Sequence, residues 1–449
     1  MTTPLPDSLL LTNARLVLID QVVEDGSLLL EAGRIARVVP GAGKSDHLGL
    51  VEHDLSGLTL FPGFIDVHIH GSVGVDTMNA TAEDLGRVSE FLSRQGVTGW
   101  LPTFVPAPLE QYQRAIASIG ALMREQREHE PRNHWDRDHW DRGRPARKEL
   151  PQDSTLKDIG RVDADENRRA GLPRSQYGGS LFGARVLGVH YEGPFVNSKQ
   201  CGALHREYFR SFSTDFDLDE LPTLAETDAV HMMTLAPEVD GGIELVRALG
   251  NRGWIVSLGH TRAGTELLDR ACDAGARHMT HFMNAMAPLH HRSPGPIGWG
   301  LLRDDVTCDL IADGIHLDRL TLRLLQKLKT ADRLSLISDA IAAAGEGDGD
   351  YQIWGETISV SAGRTQNSSG SIAGSVITML DAVRMMLSIG ASEVEVARMA
   401  STNPARLLGI DQDCGSIEEG KRADLVAIDR DGQPRLTIVG GEVRFLNQV

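Results

Sequence analysis

Cysteine is scarce in this chain: there are four in 449 residues, Cys201, Cys272, Cys308 and Cys414. They lie far apart and none forms a Cys-x-x-Cys pair, which argues against a disulfide framework or a thiolate zinc site and suits a reducing, cytoplasmic setting. Positive charge is also short. Lys and Arg number 45 against 62 Asp and Glu, a net charge of −17, so the basic field that a nucleic-acid binder needs is missing. A few local cations would still serve to hold one small anion. No apolar run approaches membrane-spanning length. The opening Met1-Thr2-Thr3-Pro4-Leu5-Pro6-Asp7-Ser8 lacks a basic segment followed by an apolar one, so no signal peptide is evident.

What remains is ordinary for a soluble protein, with 41% hydrophobic and 24% charged residues and a length that allows one large α/β domain plus a smaller one. Both ends have a β texture. Apolar runs at 9–11, 15–19, 27–30 and 34–39 are separated by Asn, Asp and Gly. The runs at 423–428, 436–439 and 442–445 match them, and Gly440-Gly441 reads as a hairpin turn. The expectation is a small β-sandwich built from residues 1–60 and 411–449, with a domain inserted at 61–410 and further β-domain strands at about 350–370.

Within 61–410, strand patterns alternate with helix patterns. The strands are expected at 64–70, 97–103, 184–192, 230–236, 254–260, 277–282, 306–313 and 333–339. Helical spacing lies between them, for example at 81–94, 242–252 and 262–274. Eight repeats of strand then helix give an α/β fold of the (β/α)8, TIM-like barrel type. Residues 124–180 break the pattern. They repeat His134-Trp135-Asp136-Arg137 as His139-Trp140-Asp141-Arg142, yet 124–149 holds eight Lys or Arg against seven Asp or Glu. That balance favours a solvated polar insertion over a metal or RNA site.

Functional residues of such a barrel sit at the C-terminal ends of its strands. The first expected strand ends in His68 and His70, two residues apart and therefore on one face. The third ends in His190-Tyr191-Glu192, the fifth in His260, the sixth in His281 and the eighth in Asp339. Four imidazoles and a carboxylate (His68, His70, Glu192, His260, His281) could converge at one mouth as ligands of a divalent metal such as zinc. They exceed what one tetrahedral ion needs; two ions bridged by Glu192 would use them all. Asp339 is left free to take a proton from water and return it to a leaving amine, so the parts suit metal-assisted hydrolysis of an amide, ester or similar carbonyl.

Several stretches together carry a specific resemblance. They are Pro62-Gly63-Phe64-Ile65-Asp66-Val67-His68-Ile69-His70-Gly71, His190-Tyr191-Glu192-Gly193-Pro194, Leu258-Gly259-His260-Thr261, and Thr280-His281-Phe282-Met283-Asn284-Ala285-Met286. Downstream come His290-His291-Arg292-Ser293-Pro294-Gly295, Asp313-Gly314-Ile315-His316, Ser338-Asp339, Ser371-Ile372-Ala373-Gly374-Ser375 and Asn403-Pro404-Ala405-Arg406. In this order they resemble the N-acetylglucosamine-6-phosphate deacetylase family of the amidohydrolase superfamily, across nearly the whole chain except 124–180. The resemblance implies removal of acetate from N-acetylglucosamine 6-phosphate, and suggests a homodimer. Glu192, His260 and His281 would hold the main metal, with His68 and His70 available for a second. Zinc is expected, with Fe²⁺, Mn²⁺ or Co²⁺ as alternatives. Asp339 would be general base and then general acid. Asn284, Ala285, Arg292 and His316 would contact the sugar phosphate, and Ile372, Ala373 and Gly374 would line the sugar pocket. His205 is the candidate for orienting and polarising the acetamide carbonyl, and Ala203 is a further substrate-binding candidate, although Leu204 separates the two where the family has no such residue. Rival readings are another amidohydrolase, such as an N-acyl amino-acid deacylase, and a non-catalytic scaffold of the same fold.

Overall fold

The computed structural model describes residues 8–41, 50–129 and 182–447. Its centre is a ring of parallel strands. In chain order they are Phe64–Ile69, Val97–Phe104, Gly188–Glu192, Val230–Leu235, Ile255–Leu258, His278–Met279, Thr307–Ile311 and Leu334–Ile337. Each pairs in parallel with the next. The eighth meets the first at the mouth, where Asp339 N–H donates to the His68 carbonyl at 2.9 Å and His70 N–H to the Ala340 carbonyl at 2.8 Å. This is the expected barrel. Every residue of the first, second, third, fourth and eighth strands is buried, which explains why they read as apolar runs rather than alternating ones.

Alternation decides which side chains reach the barrel interior. Tyr191 points outward, its ring 5.1 Å from Phe104 and 5.2 Å from Tyr112 of helix Leu109–Glu128. His190 and Glu192 therefore point inward, as do Asp66, His68 and His70 on the first strand. Helices Ala82–Arg94, Leu109–Glu128, Gly242–Asn251, Thr265–Ala274, Gly295–Leu302, Arg319–Lys329 and Met379–Ser388 follow seven of the strands. Ala82–Arg94 and Met379–Ser388 start at capping boxes, Thr81 with Asp84 and Thr378 with Asp381.

Both ends of the chain build one eight-stranded mixed sheet. Strand Leu425–Ile428 pairs antiparallel with Thr59–Pro62, which pairs in parallel with Ser8–Val17. This sheet has its own apolar core, including Leu11, Leu16, Leu28, Leu60, Leu425 and Ile438.

Five expectations change, one of them the sixth strand, which spans only His278–Met279 of the expected 277–282. The runs at 9–11 and 15–19 belong to one strand, Ser8–Val17, kinked at Asn13, where φ is +56° and the register shifts. The third crossover carries only the short helix Phe216–Asp219 and 3₁₀ turns among the described residues, not a full helix. The strands at 350–370 do not join the terminal β-domain. Gly349–Ile353, Glu356–Ser361 and Arg364–Gln366 pair only with one another, and their apolar side packs on Ile341, Ala343 and Ala373. Of the insertion at 124–180, residues 124–128 are the end of helix Leu109–Glu128, and 130–180 lie outside the described residues.

Candidate metal centre

The strand ends bring five of the expected ligands together at the mouth. Glu192 is the hub. Its Oε1 lies 2.8 Å from His260 Nε2 and 2.9 Å from His281 Nε2, while its Oε2 lies 3.3 Å from His70 Nε2. The Nε2 atoms of His260 and His281 are 3.2 Å apart, and those of His68 and His70 are 3.1 Å apart. Two clusters result, Glu192 with His260 and His281, and Glu192 with His68 and His70, all buried. Each of these nitrogen pairs lies at hydrogen-bonding distance, with the donor set by the tautomer. Their spacing also matches the edge of a tetrahedron around an ion bonded at about 2.0–2.1 Å, roughly 3.3 Å. The donor set thus fits one or two borderline divalent ions. His260 also has the outer support that metal ligands use, since its Nδ1 lies 2.7 Å from the Gln200 carbonyl.

Asp339 completes the cluster, with Oδ1 3.3 Å from both His68 Nε2 and His70 Nε2. Electrostatics follow from burial and proximity. Burial works against a charge on His70, but hydrogen bonding to Asp339 and Glu192 outweighs it and raises its pKa to about 10. Burial likewise opposes the carboxylate charge of Glu192, yet His68 and His260 hold it well below the usual range. Asp339 is held low against burial by His68 and His70. His190, packed edge-on to His68 with centroids 4.7 Å apart, is pushed well below its ordinary value by burial first and by His68 second.

The backbone at these strand ends is unusual. His260, His281, Ala285 and Asp339 have φ of +47°, +32°, +49° and +50°. Such conformations are disfavoured for residues other than glycine and gather at functional sites. For His260 the restraint is visible. Glu238, just past the fourth strand, accepts from Thr261 Oγ1 at 2.5 Å, from Arg262 N–H at 2.6 Å and from Asn197 Nδ2 at 2.7 Å. Asn197 N–H in turn donates to the His260 carbonyl at 3.1 Å. Beneath the first strand's histidines, Asp66 accepts from Ser338 Oγ at 2.6 Å, and burial pushes its pKa up to about 7.

The remaining expected residues are less uniformly placed. Gly374 (φ +55°) lies against the eighth strand's end; a Cβ there would meet Ile341 Cγ2 at 2.6 Å and the Asp339 carbonyl at 2.9 Å. Next to it, Ser375 N–H donates to the Asp339 carbonyl at 2.7 Å, so the 372–375 loop and Asp339 are one unit. Ala373 is buried and Ile372 half-buried in that loop. His316 Nδ1 sits 2.6 Å from Asp313 Oδ2, which leaves Nε2 free for a ligand. Asn284 keeps a buried Nδ2 without a protein partner among the described residues. Arg292 is exposed, and its only hydrogen bond among the described residues runs from its backbone N–H to His290 Nδ1. Ala203 packs against the hairpin sheet. His205 departs from expectation: its Nε2 is committed to the Trp354 carbonyl at 2.8 Å and its Nδ1 lies 3.3 Å from Glu207. With both ring nitrogens engaged, this placement does not suit polarising an acyl oxygen.

Sequence reading gave no role to Glu238, Asp66 or Trp354. Glu238 ends the run Leu235-Ala236-Pro237-Glu238 at the mouth of the fourth strand, so the strand-end rule could have found it.

Residues 186–444 match the amidohydrolase family. Over 443 residues the chain is 33% identical to the N-acetylglucosamine-6-phosphate deacetylase of Bacillus subtilis, covering 98% of each. It is 32% identical to the N-acetylgalactosamine-6-phosphate deacetylase of Escherichia coli O157:H7, covering 91% of each. Its fold superimposes with a TM-score of 0.78 and 27% identity on a variant N-acetyl-D-glucosamine-6-phosphate deacetylase of Mycobacterium smegmatis, solved in complex with N-acetyl-D-glucosamine-6-phosphate, covering 98% of this chain and 100% of that one. Strand order, clustered ligands and full-length likeness agree: the chain belongs to the amidohydrolase family and, within it, to the N-acetylglucosamine-6-phosphate deacetylases.

Proposed function

We propose that this protein removes the acetyl group from N-acetylglucosamine 6-phosphate by metal-dependent hydrolysis, giving glucosamine 6-phosphate and acetate. The observation that carries the reading is the position of Asp339, whose Oδ1 stands 3.3 Å from two ring nitrogens of the five-residue cluster. Glu192, His260 and His281 would hold the main ion, and His68 and His70 with Glu192 a second. Mixed nitrogen and oxygen donors favour zinc, with Fe²⁺, Mn²⁺ and Co²⁺ as alternatives. When bound, such an ion would supply Lewis-acid polarisation of the acetamide carbonyl and would lower the pKa of water toward neutrality.

The chain's own groups do the rest. Asp339 Oδ1 takes the proton of the attacking water and delivers it to the amine nitrogen as the C–N bond breaks. The free guanidinium of Arg292 and the Nε2 of His316 grip the phosphate. Asn284 and the backbone at Ala285 orient it, and Ile372, Ala373, Gly374 and Ala203 line the sugar side. His205 acts on the loop it belongs to, through Trp354, rather than on the carbonyl.

The test is amine release by zinc-loaded protein from N-acetylglucosamine with and without its 6-phosphate. A strong preference for the phosphorylated sugar is expected; no release from either would overturn the reading. The galacto epimer belongs in the same assay, because a relative named for that substrate is 32% identical against 33% for one named for the gluco form. A cytoplasmic homodimer completes the proposal. Four buried, unpaired cysteines fit the reducing compartment, and light scattering of the purified protein checks the dimer. Among the described residues no helix is long and apolar enough to cross a membrane.

A further inference from the structure

The hairpin joining Gly349–Ile353 to Glu356–Ser361 turns through Trp354 and Gly355, with Ile353 paired to Glu356. Both turn residues have positive φ, +53° and +79°. Two-residue turns of this kind favour Asn or Asp followed by Gly. A large aromatic residue in the first position is a poor conformational choice. Backbone strain of this kind persists where the surroundings hold it, and it gathers at ligand sites.

Trp354 is held by the metal centre's rim. Its ring centroid is 5.2 Å from that of His70, with the planes at 83°. Its carbonyl accepts the Nε2–H of His205 at 2.8 Å. The sheet behind it packs on Ile341, Ala373 and Ala203, so an apolar wall runs from His70 to the candidate sugar loop. Among the described residues, no other ring outside the histidines contacts one of the five candidate ligands.

We infer that Trp354 is a specificity-determining residue whose indole walls the acyl side of the metal centre and restricts the acyl group to acetyl. The inference rests on the deacetylase reading. Beyond its carbonyl the acyl group has no polar atom, so it must lie on apolar surface beside the ligands, and Trp354 supplies that surface. A longer acyl chain would meet the indole.

The experiment compares wild type, Trp354→Asn and Trp354→Phe, each zinc-loaded, on the N-acetyl, N-propionyl and N-butyryl forms of glucosamine 6-phosphate, with the melting temperature measured for each. Asn suits the turn but gives up the packing of the indole, so Trp354→Asn is expected to stay folded and to melt below wild type. Its preference in kcat/KM for acetyl over butyryl is expected to fall about tenfold or more, the factor that methylenes carry in an apolar pocket. Trp354→Phe should fall in between. An unchanged preference in both variants overturns the inference, whatever the melting temperatures, because the ring would then be structural only. Wild type that releases amine from none of the three would overturn the deacetylase reading, and this inference with it. Turnover by wild type with an unchanged preference in the variants overturns this inference alone.

Discussion

Glu238 accepts a 2.5 Å hydrogen bond from Thr261, the residue that follows the candidate ligand His260. Through Arg262 and Asn197 it fixes both flanks of a histidine whose backbone is left-handed. Glu238→Ala is therefore expected to weaken metal affinity at the Glu192–His260–His281 cluster by about 10- to 100-fold, the usual cost of removing an outer partner. Glu238→Gln keeps an acceptor for the two N–H groups and should stay near wild type. Competition with a chelating dye measures both, and equal affinities for wild type and Glu238→Ala would refute the role.

Asp339→Asn keeps the size of the side chain and removes the base. Turnover should fall by about 100- to 10,000-fold, the range of a general acid–base group, while bound metal stays at wild-type level. Elemental analysis alongside steady-state kinetics separates the two. Near-normal turnover would rule out Asp339 as the proton carrier.

Arg292 presents an exposed guanidinium with no ion pair among the described residues. Arg292→Ala should raise KM for the phosphorylated sugar by roughly 10- to 100-fold, as for a lost hydrogen bond to a charged group. The unphosphorylated sugar should be unaffected. A KM that does not move would place the phosphate elsewhere.

Gly374→Ala should reduce turnover more than it reduces substrate binding. The new Cβ would press on Ile341 and on the Asp339 carbonyl, at 2.6 and 2.9 Å, from a left-handed backbone. Relief requires the Asp339 turn to shift. Unchanged kcat would show that the 372–375 loop does not fix the base.

Burial pushes the thiols of Cys308 and Cys414 up to about 12. At pH 8 a thiol of that kind is about one part in ten thousand thiolate, and only the thiolate reacts. The folded protein should therefore consume little alkylating reagent at these positions, and denaturant should release them. Peptide mapping after timed alkylation decides; rapid labelling of Cys308 in folded protein would contradict its burial.

Much of the barrel was legible because its strands are buried on both faces and end in residues with chemistry of their own. His68, His70, Glu192, His260, His281 and Asp339 could be placed together from strand ends alone. The limits came from long-range pairing. The apolar runs at 350–370 show β character, but nothing local says that they pair with each other instead of with the terminal sheet. Asn13 looks like a break between two strands and is instead a kink within one. The sixth strand was expected at 277–282 and spans only His278–Met279, since His281 leaves the extended conformation to reach Glu192. His205 shows the remaining limit: the family resemblance offered it for the site, but only the fold shows that the Trp354 carbonyl claims its Nε2.

The pairing of Leu425–Ile428 with Thr59–Pro62 has a consequence for synthesis on the ribosome. The strand that leads into the barrel waits for a partner about 360 residues downstream. At translation rates of about 5 to 20 residues per second, that wait is roughly 20 to 70 seconds. Until it ends, one edge of the N-terminal strands stays unpaired, and such edges invite association with other chains. The nascent protein thus carries this unpaired edge until Leu425–Ile428 emerges and pairs with Thr59–Pro62.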